Sequence, residues 1–341
     1  MIFFWQIVIS LLLGVLAGTF TGLIPGIHIN FVALMVSASA GFLLNHFTAM
    51  AIVSFIVSMA VTHSFLDFIP SIFLSAPNAE TALSVMPGHN LLLRGHGYAA
   101  VRLALIGGYI GLIILVLASP LFIYGLPLLY GILKNSMAFV LIAASLYLVI
   151  ADKGRLMAFF VFILSGVLGF AALNLPVNQP LFPLLSGLFG TSMLFASISD
   201  KAVIPKQKIG LLKIETKEKT KTIFAGLISA GLCSFLPGLG ASQAAVIGSE
   251  ISGKISGRGF LMLLGIISTL VTGLNFVAIY AIGKPRSGVA VAAEKILQSM
   301  SLQQLYLLLI VAFAAGSIAL PIALFSARIF ARNISRINYS K

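Results

Sequence analysis

Charge is what this 341-residue sequence has least of: Asp, Glu, Lys and Arg make up 9% of it, and only 8 residues are acidic. A soluble domain carries about a quarter of its residues as charged ones, so this chain cannot be one. Cysteine is nearly missing as well. The single Cys233 has no intrachain partner, which rules out a disulfide framework and leaves a small packing role in apolar surroundings. There is no phosphate-cradling P-loop, no nucleophile elbow of the G-x-S-x-G type and no dinucleotide fingerprint. ATP-driven transport by this chain alone is therefore not expected. The five histidines lack the i,i+4 spacing of a metal-binding helix face, so neither a metal nor a cofactor is expected.

What the sequence has in excess is apolar surface, with 60% hydrophobic residues and a mean hydropathy of +1.11. Segments 2–20, 98–118, 136–151, 156–174, 180–199, 259–281 and 302–325 each approach the roughly 20 apolar residues that cross a bilayer. Shorter stretches at 29–44, 47–62, 222–235 and 241–252 are interrupted by Pro, Gly or Asn and read as half-helices or re-entrant segments. Eight to eleven passes are expected. No basic region precedes residues 1–20, which read as the first helix and not as a cleaved signal.

The net charge of +13 marks topology and not a nucleic-acid face. Seven lysines fall between Lys201 and Lys221, Arg328, Arg332, Arg336 and Lys341 close the chain, and no Lys or Arg precedes Arg94. Cytoplasmic loops carry the basic excess. A cell-membrane protein with its N-terminus outside and its C-terminus in the cytoplasm is expected.

One pattern is written twice. Gly14, ten residues and Pro25-Gly26 are matched by Gly226, ten residues and Pro237-Gly238. A second block, Ser64-x-x-Asp67-Phe68, eight residues and Pro77, is matched by Thr272-x-x-Asn275-Phe276, eight residues and Pro285. The offsets are 212 residues (226 minus 14) and 208 (272 minus 64). The charge distribution makes the copies enter from opposite sides, so the repeat is expected to be inverted. Its parts are repeat one at 1–118, connecting helices at 119–199, a basic cytoplasmic loop at 200–221, repeat two at 222–326 and a basic tail at 327–341. The expected fold is all-α: a polytopic membrane protein with two inverted repeats, broken transmembrane helices and re-entrant helical hairpins.

A Pro-Gly pair frees the chain from helical geometry, and lipid offers the released backbone no partner. Such breaks in corresponding positions of two halves point to a transport site. Asn30 follows the first break and Ser242 the second, and both are good N-cap types. The bare N–H groups of a restarted helix favour an anion. Candidate substrate-binding residues are Pro25, Gly26, His28, Asn30 and Asn78 in the first half, and Pro237, Gly238, Gly240, Ser242 and Gln243 in the second. Arg94, Arg102 and Arg286 are candidates to balance the anion's charge. Asp67, Glu80 and Asn275 are candidates for a coupling-ion path, because charge in a bilayer interior is expensive and faces a cavity or a partner. A plain packing kink, and placement of Arg94 at the interface, are the bland alternatives.

The motifs Gly22-Leu23-Ile24-Pro25-Gly26 and Leu236-Pro237-Gly238-Leu239-Gly240 resemble the paired signatures of tripartite tricarboxylate transporter permeases, the TctA family. Ala76-Pro77-Asn78, Pro87-Gly88-His89, Leu93-Arg94-Gly95-His96-Gly97 and Arg102-Leu103-Ala104 resemble the signature that follows; Ser249-Glu250, Gly253-Lys254 and Asn275 resemble its second-half counterpart. The nearest branch is the shortened archaeal type labelled DUF112, related to DUF368. The resemblance implies a secondary transporter, a symporter that moves a small organic anion such as a di- or tricarboxylate with a proton or sodium gradient. It also implies a small membrane subunit, an extracytoplasmic binding protein, contact with membrane lipid and a homodimer as partners to test. Pro87-Gly88-His89 departs from the family's Asp-Gly-Tyr-like segment, and the chain is shorter than the usual permease. A polyprenyl-phosphate-type lipid anion is the alternative cargo, and an intramembrane enzyme acting on a lipid phosphate is a more distant one.

Overall fold

A computed structural model describes residues 2–78, 80–152, 154–176, 204–236 and 239–336. The expected pass at 180–199 and the second break, Pro237-Gly238, lie outside these residues.

Every described element is a helix or a turn, as expected where lipid cannot complete backbone hydrogen bonds. The first half runs α1 (Ile2–Leu23), α2 (Ile29–Ala38), α3 (Ala40–Leu43), α4 (Ala49–Leu66), α5 (Phe68–Phe73), a 3-10 turn at Ala82–Ser84, α6 (Val85–Leu93) and α7 (Gly97–Leu133). After a hairpin of α8 (Met137–Ala151) and α9 (Arg155–Leu173), the second half runs α10 (Thr216–Phe235), α11 (Ala241–Ser252), α12 (Gly257–Ile282), α13 (Gly288–Leu297) and α14 (Leu302–Asn333). Both halves thus order their main helices as long, short, long, short, long. Six apolar stretches among the described residues are long enough to cross a membrane. One of them, Gly97–Ile150, takes in α7 and α8 and has 54 residues, more than twice what a single crossing needs.

Two helices form the core. Nearly every described side chain of α4 and most of α12 are buried, in keeping with segments that are apolar on all faces. α4 packs on α1 of its own half and on α14 of the other, α12 packs on α10 of its own half and on α7 of the other, and α4 and α12 touch each other. Each half therefore lends its last long helix to the other half's core.

Small residues set how closely these helices approach. Gly14, Gly18 and Gly22 recur every fourth residue on α1, and a methyl at each would strike Ser58, Met59 or Leu66 of α4. On α7, Gly107 and Gly111 sit against the carbonyls of Met262 and Ile266 of α12, while Gly265 of α12 sits against Ala104. Between helices in lipid, such close van der Waals contact is the main source of attraction.

Polar bonds fix direction. Gln6 near the start of α1 accepts from the Thr48 amide at 3.1 Å, and Thr48 caps α4. Glu218 near the start of α10 accepts from the Ser256 amide at 2.6 Å, and Ser256 caps α12. α1 and α4 therefore begin at one end of the molecule and run the same way, as do α10 and α12. The stretch between each pair carries the chain back.

Three expectations change. The 47–62 stretch is no half-helix: α4 and α5 carry a continuous apolar span over Ala49–Phe73, with no Pro or Gly between 47 and 62 to break it and with Ser58 and Ser64 bonded to carbonyls of their own helix. α7 continues to Leu133, past the boundary expected at 118, since its Pro120 and Pro127 are accommodated inside the helix. The lysine-rich 200–221 stretch is not one loop. From 204 to 215 it forms no regular element, with Gln207 bonded to the Gly97 amide at 2.7 Å and to the Leu92 carbonyl at 3.0 Å, and α10 begins at Thr216 within it.

Gly18→Val inserts a branched side chain between α1 and α4, and overpacking of this kind costs about 1–3 kcal/mol. Thermal unfolding in detergent should show that loss. Gly41→Val, where nothing lies within 4 Å of the new side chain, should unfold close to wild type.

Candidate functional site

The first break begins where α1 ends. Gly26 holds φ at +94°, a conformation that costs a side-chain-bearing residue free energy and glycine little. α2 restarts at Ile29, and its cap is His28, whose Nδ1 accepts from the Asn30 amide at 3.1 Å. Burial holds the His28 imidazole below its ordinary range, so the ring is neutral and has a nitrogen free to accept.

Asn30, expected as that cap, works across the molecule instead. Its Oδ1 accepts from the Val289 amide at 3.1 Å, at the start of α13 in the other half. The second break makes a contact in the reverse sense: Ser242 Oγ donates to the Glu80 carbonyl at 3.4 Å. α11 is capped at Gly240, whose amide donates to Gln243 Oε1 at 3.0 Å. In both halves, then, the residue thought to cap its own helix bonds the opposite half.

Below the first break lies a polar chain. His63 Nδ1 is 3.0 Å from Thr21 Oγ1, and its Nε2 is 3.4 Å from Asn78 Nδ2. An amide nitrogen can only donate, which assigns the ring proton to Nδ1 and makes Thr21 its acceptor. Asn78 Oδ1 accepts from the amides of Glu80 and Thr81 at 2.8 and 3.0 Å. Thr81 Oγ1 donates to Asp67 Oδ2 at 2.8 Å. Ser71 completes the chain, 2.7 Å from Thr81 Oγ1.

Where the halves meet, five polar side chains, Asn30, Glu80, Thr272, Asn275 and Ser287, line a cavity of about 10 Å³ with Ile29, Phe276 and Val289. That is the space of a single water. Asn275 is only 7% exposed and its side chain finds no hydrogen-bond partner among the described residues. The Glu80 carboxylate has none there either. Burial pushes this carboxyl, which lies outside the apolar spans, up to about 6.

The structure brings Asn30, Glu80 and Asn275 together at this cavity and places His28, Asn78, Asp67 and Ser242 within one bond of its elements. Pro25 and Gly26 form the turn that leads into it. The arginines stand apart from it. Arg94 is exposed on the α6–α7 turn and Arg102 lies on α7, partly buried. Arg286 lies over the Tyr130 ring, 5.9 Å from its centre, beside the cavity residue Ser287. Sequence reasoning missed Ser287, which caps α13, and the Thr21–His63 link. A Ser two residues beyond the Pro285 break was the available signal for Ser287; for Thr21 there was none.

Ionising Glu80 inside the fold costs free energy. Below its ordinary 4.5 the carboxyl is protonated folded or unfolded; as pH rises through about 6 the folded protein carries a buried charge and loses up to about 2 kcal/mol. Glu80→Gln should therefore unfold at a higher temperature than wild type at pH 7.5 in choline chloride, with the difference vanishing at pH 4.5. Equal midpoints at both pH values would show that Glu80 is ordinary.

The profile described as the Tripartite tricarboxylate transporter TctA family matches residues 8–341. An uncharacterized protein of Methanocaldococcus jannaschii is 32% identical over 290 residues, covering 83% of this chain and 71% of that protein. No solved structure matches the chain. With nearly its whole length under that profile, the chain is a multi-pass membrane protein of the tripartite tricarboxylate transporter TctA family.

Proposed function

We propose that this transporter moves a small organic anion, a di- or tricarboxylate, across the cell membrane in symport with a cation. The reciprocal bonding of the two breaks supports this reading most: Asn30 reaches α13 and Ser242 reaches the Glu80 carbonyl, so the elements that close the cavity belong to opposite halves. Movement of one half against the other opens it.

In this reading the halves are inverted repeats. Their signature bonds stand at the same offsets as the duplicated motifs: Gln6 and Glu218 are 212 residues apart (218 minus 6), Thr48 and Ser256 are 208 (256 minus 48). Repeat one starts outside and repeat two, after the basic stretch, starts in the cytoplasm. The cavity lined by these residues holds about one water, and in this reading a carboxylate enters when the halves part. The amides following both breaks, with Asn30, Asn78, Gly240, Ser242 and Gln243, then meet the anion. Arg286, next to Ser287, swings its charge towards it, while Asp67, Glu80 and Asn275 serve the coupling cation. A small membrane subunit and an extracytoplasmic binding protein deliver the substrate.

Proteoliposomes containing the purified chain should take up labelled citrate or another carboxylate saturably under an imposed proton or sodium gradient. Gly26→Val, which forces a branched residue to φ +94°, should cut the rate by about tenfold or more, equivalent to about 1.4 kcal/mol. Absence of uptake for every soluble anion, with translocation of a polyprenyl phosphate instead, would overturn the carboxylate reading.

A further inference from the structure

We propose that the cavity between the halves binds one dehydrated sodium ion, held by oxygens of Glu80, Asn275, Thr272, Ser287 and Asn30. This deepens the symport reading above and rests on it, since it names the coupling cation and its seat.

The lining carries the chemistry. Glu80 supplies one negative charge, and no Lys or Arg side chain lines the cavity to cancel it. Asn275 is nine-tenths buried and lines the same space with its amide unpartnered among the described residues. Its amide lines that space with hydrogen-bonding capacity left over, which an occupant would use. The other three side chains retain acceptor capacity. Thr272 Oγ1 donates to the Ser268 carbonyl at 2.8 Å, Ser287 Oγ accepts from the Ala290 amide at 3.2 Å, and Asn30 Oδ1 accepts from Val289. Each of these oxygens has a further lone pair.

Other occupants match less well. Zinc and its neighbours seek imidazole and thiolate, and the lining holds neither. Calcium takes six to eight oxygens at a site rich in carboxylates, and magnesium keeps several waters; a cavity of about 10 Å³ with one carboxylate serves neither. Water fits the space and leaves the carboxylate's charge uncancelled. A proton on Glu80 cancels the charge and leaves the remaining oxygens to the N–H and O–H donors of Asn275 and Ser287; the sodium titration below separates that occupant from a cation. A bare monovalent cation satisfies both the charge and the oxygens. It also ties the halves, because Asn30 and Glu80 come from the first and Thr272, Asn275 and Ser287 from the second.

The test is thermal unfolding of the full chain in detergent, with no organic anion present, as sodium chloride replaces choline chloride at constant total salt. The midpoint should rise by about 2–4 °C and saturate, and potassium should do markedly less. Glu80→Gln and Thr272→Val should abolish the rise, while Asn275→Asp, which keeps an oxygen at that position, should retain it. Equilibrium binding of radioactive sodium, one ion per chain in wild type, covers any variant that folds poorly. A midpoint that responds alike to sodium, potassium and choline, or a sodium effect that survives Glu80→Gln, overturns the site. Carboxylate uptake driven by protons in sodium-free vesicles overturns it while leaving the permease standing. Sodium binding without uptake of any anion upholds the site and sinks the carboxylate cargo.

Discussion

A broken helix inside a bilayer has to find its hydrogen bonds within the protein, and the rest of this structure depends on where it finds them. Lipid supplies no donors or acceptors, so the chain on either side of Pro25-Gly26 must be served by side chains. His28 serves its own helix by accepting from the Asn30 amide. The decisive bonds are the ones that cross. Asn30 accepts from Val289, and Ser242 donates to the Glu80 carbonyl. Asn30 and Ser242 each bond the opposite half, which places a cluster of polar groups at the seam between them.

Close packing and the polar cavity fall in different places. The crossings of α1 with α4 and of α7 with α12 set glycine against backbone and side chains of the facing helix, with no room for a larger residue. They hold each core helix in register. At the seam, Glu80, Asn275 and Ser287 gather around a water-sized space, where the Asn275 side chain has no hydrogen-bond partner among the described residues. Unpartnered buried hydroxyls also lie in the core helices, at Ser54 and Thr62 of α4 and at Ser268 and Thr269 of α12, so the cost of polar burial is spread through the core as well as the seam.

Much of this was legible in the sequence, and the reasons differ from residue to residue. The apolar runs that became α1, α9, α12 and α14 are long enough that hydropathy alone placed them to within a few residues, apart from the far end of α14. The duplicated motifs named Asn30 and Ser242 as N-cap types beside the breaks, and Asp67 and Asn275 as polar groups in apolar sequence. Their partners were not legible. Asn30 and Ser242 are good cap types, yet local preference cannot say whether a side chain caps its own helix or one 259 residues away. Likewise Ser58 and Ser64 of α4 bond back to their own helix carbonyls, so polar residues there leave the helix unbroken. Arg94 and Arg102 drew attention as charges in apolar sequence, while the fold leaves one exposed on a turn and the other outside the cavity lining.

What the sequence determined by itself is the class of the molecule: 60% hydrophobic residues with 9% charged ones can be accommodated only by helices in a membrane, and paired Pro-Gly breaks can be accommodated only by burial in protein. These are constraints of solvation, and each is set by residues close together in the chain. Which groups meet was decided by tertiary structure alone. Glu80 and Asn275 are 195 positions apart (275 minus 80) and share a cavity because the connection between α5 and α6 meets α12, and no local property of either segment encodes that contact.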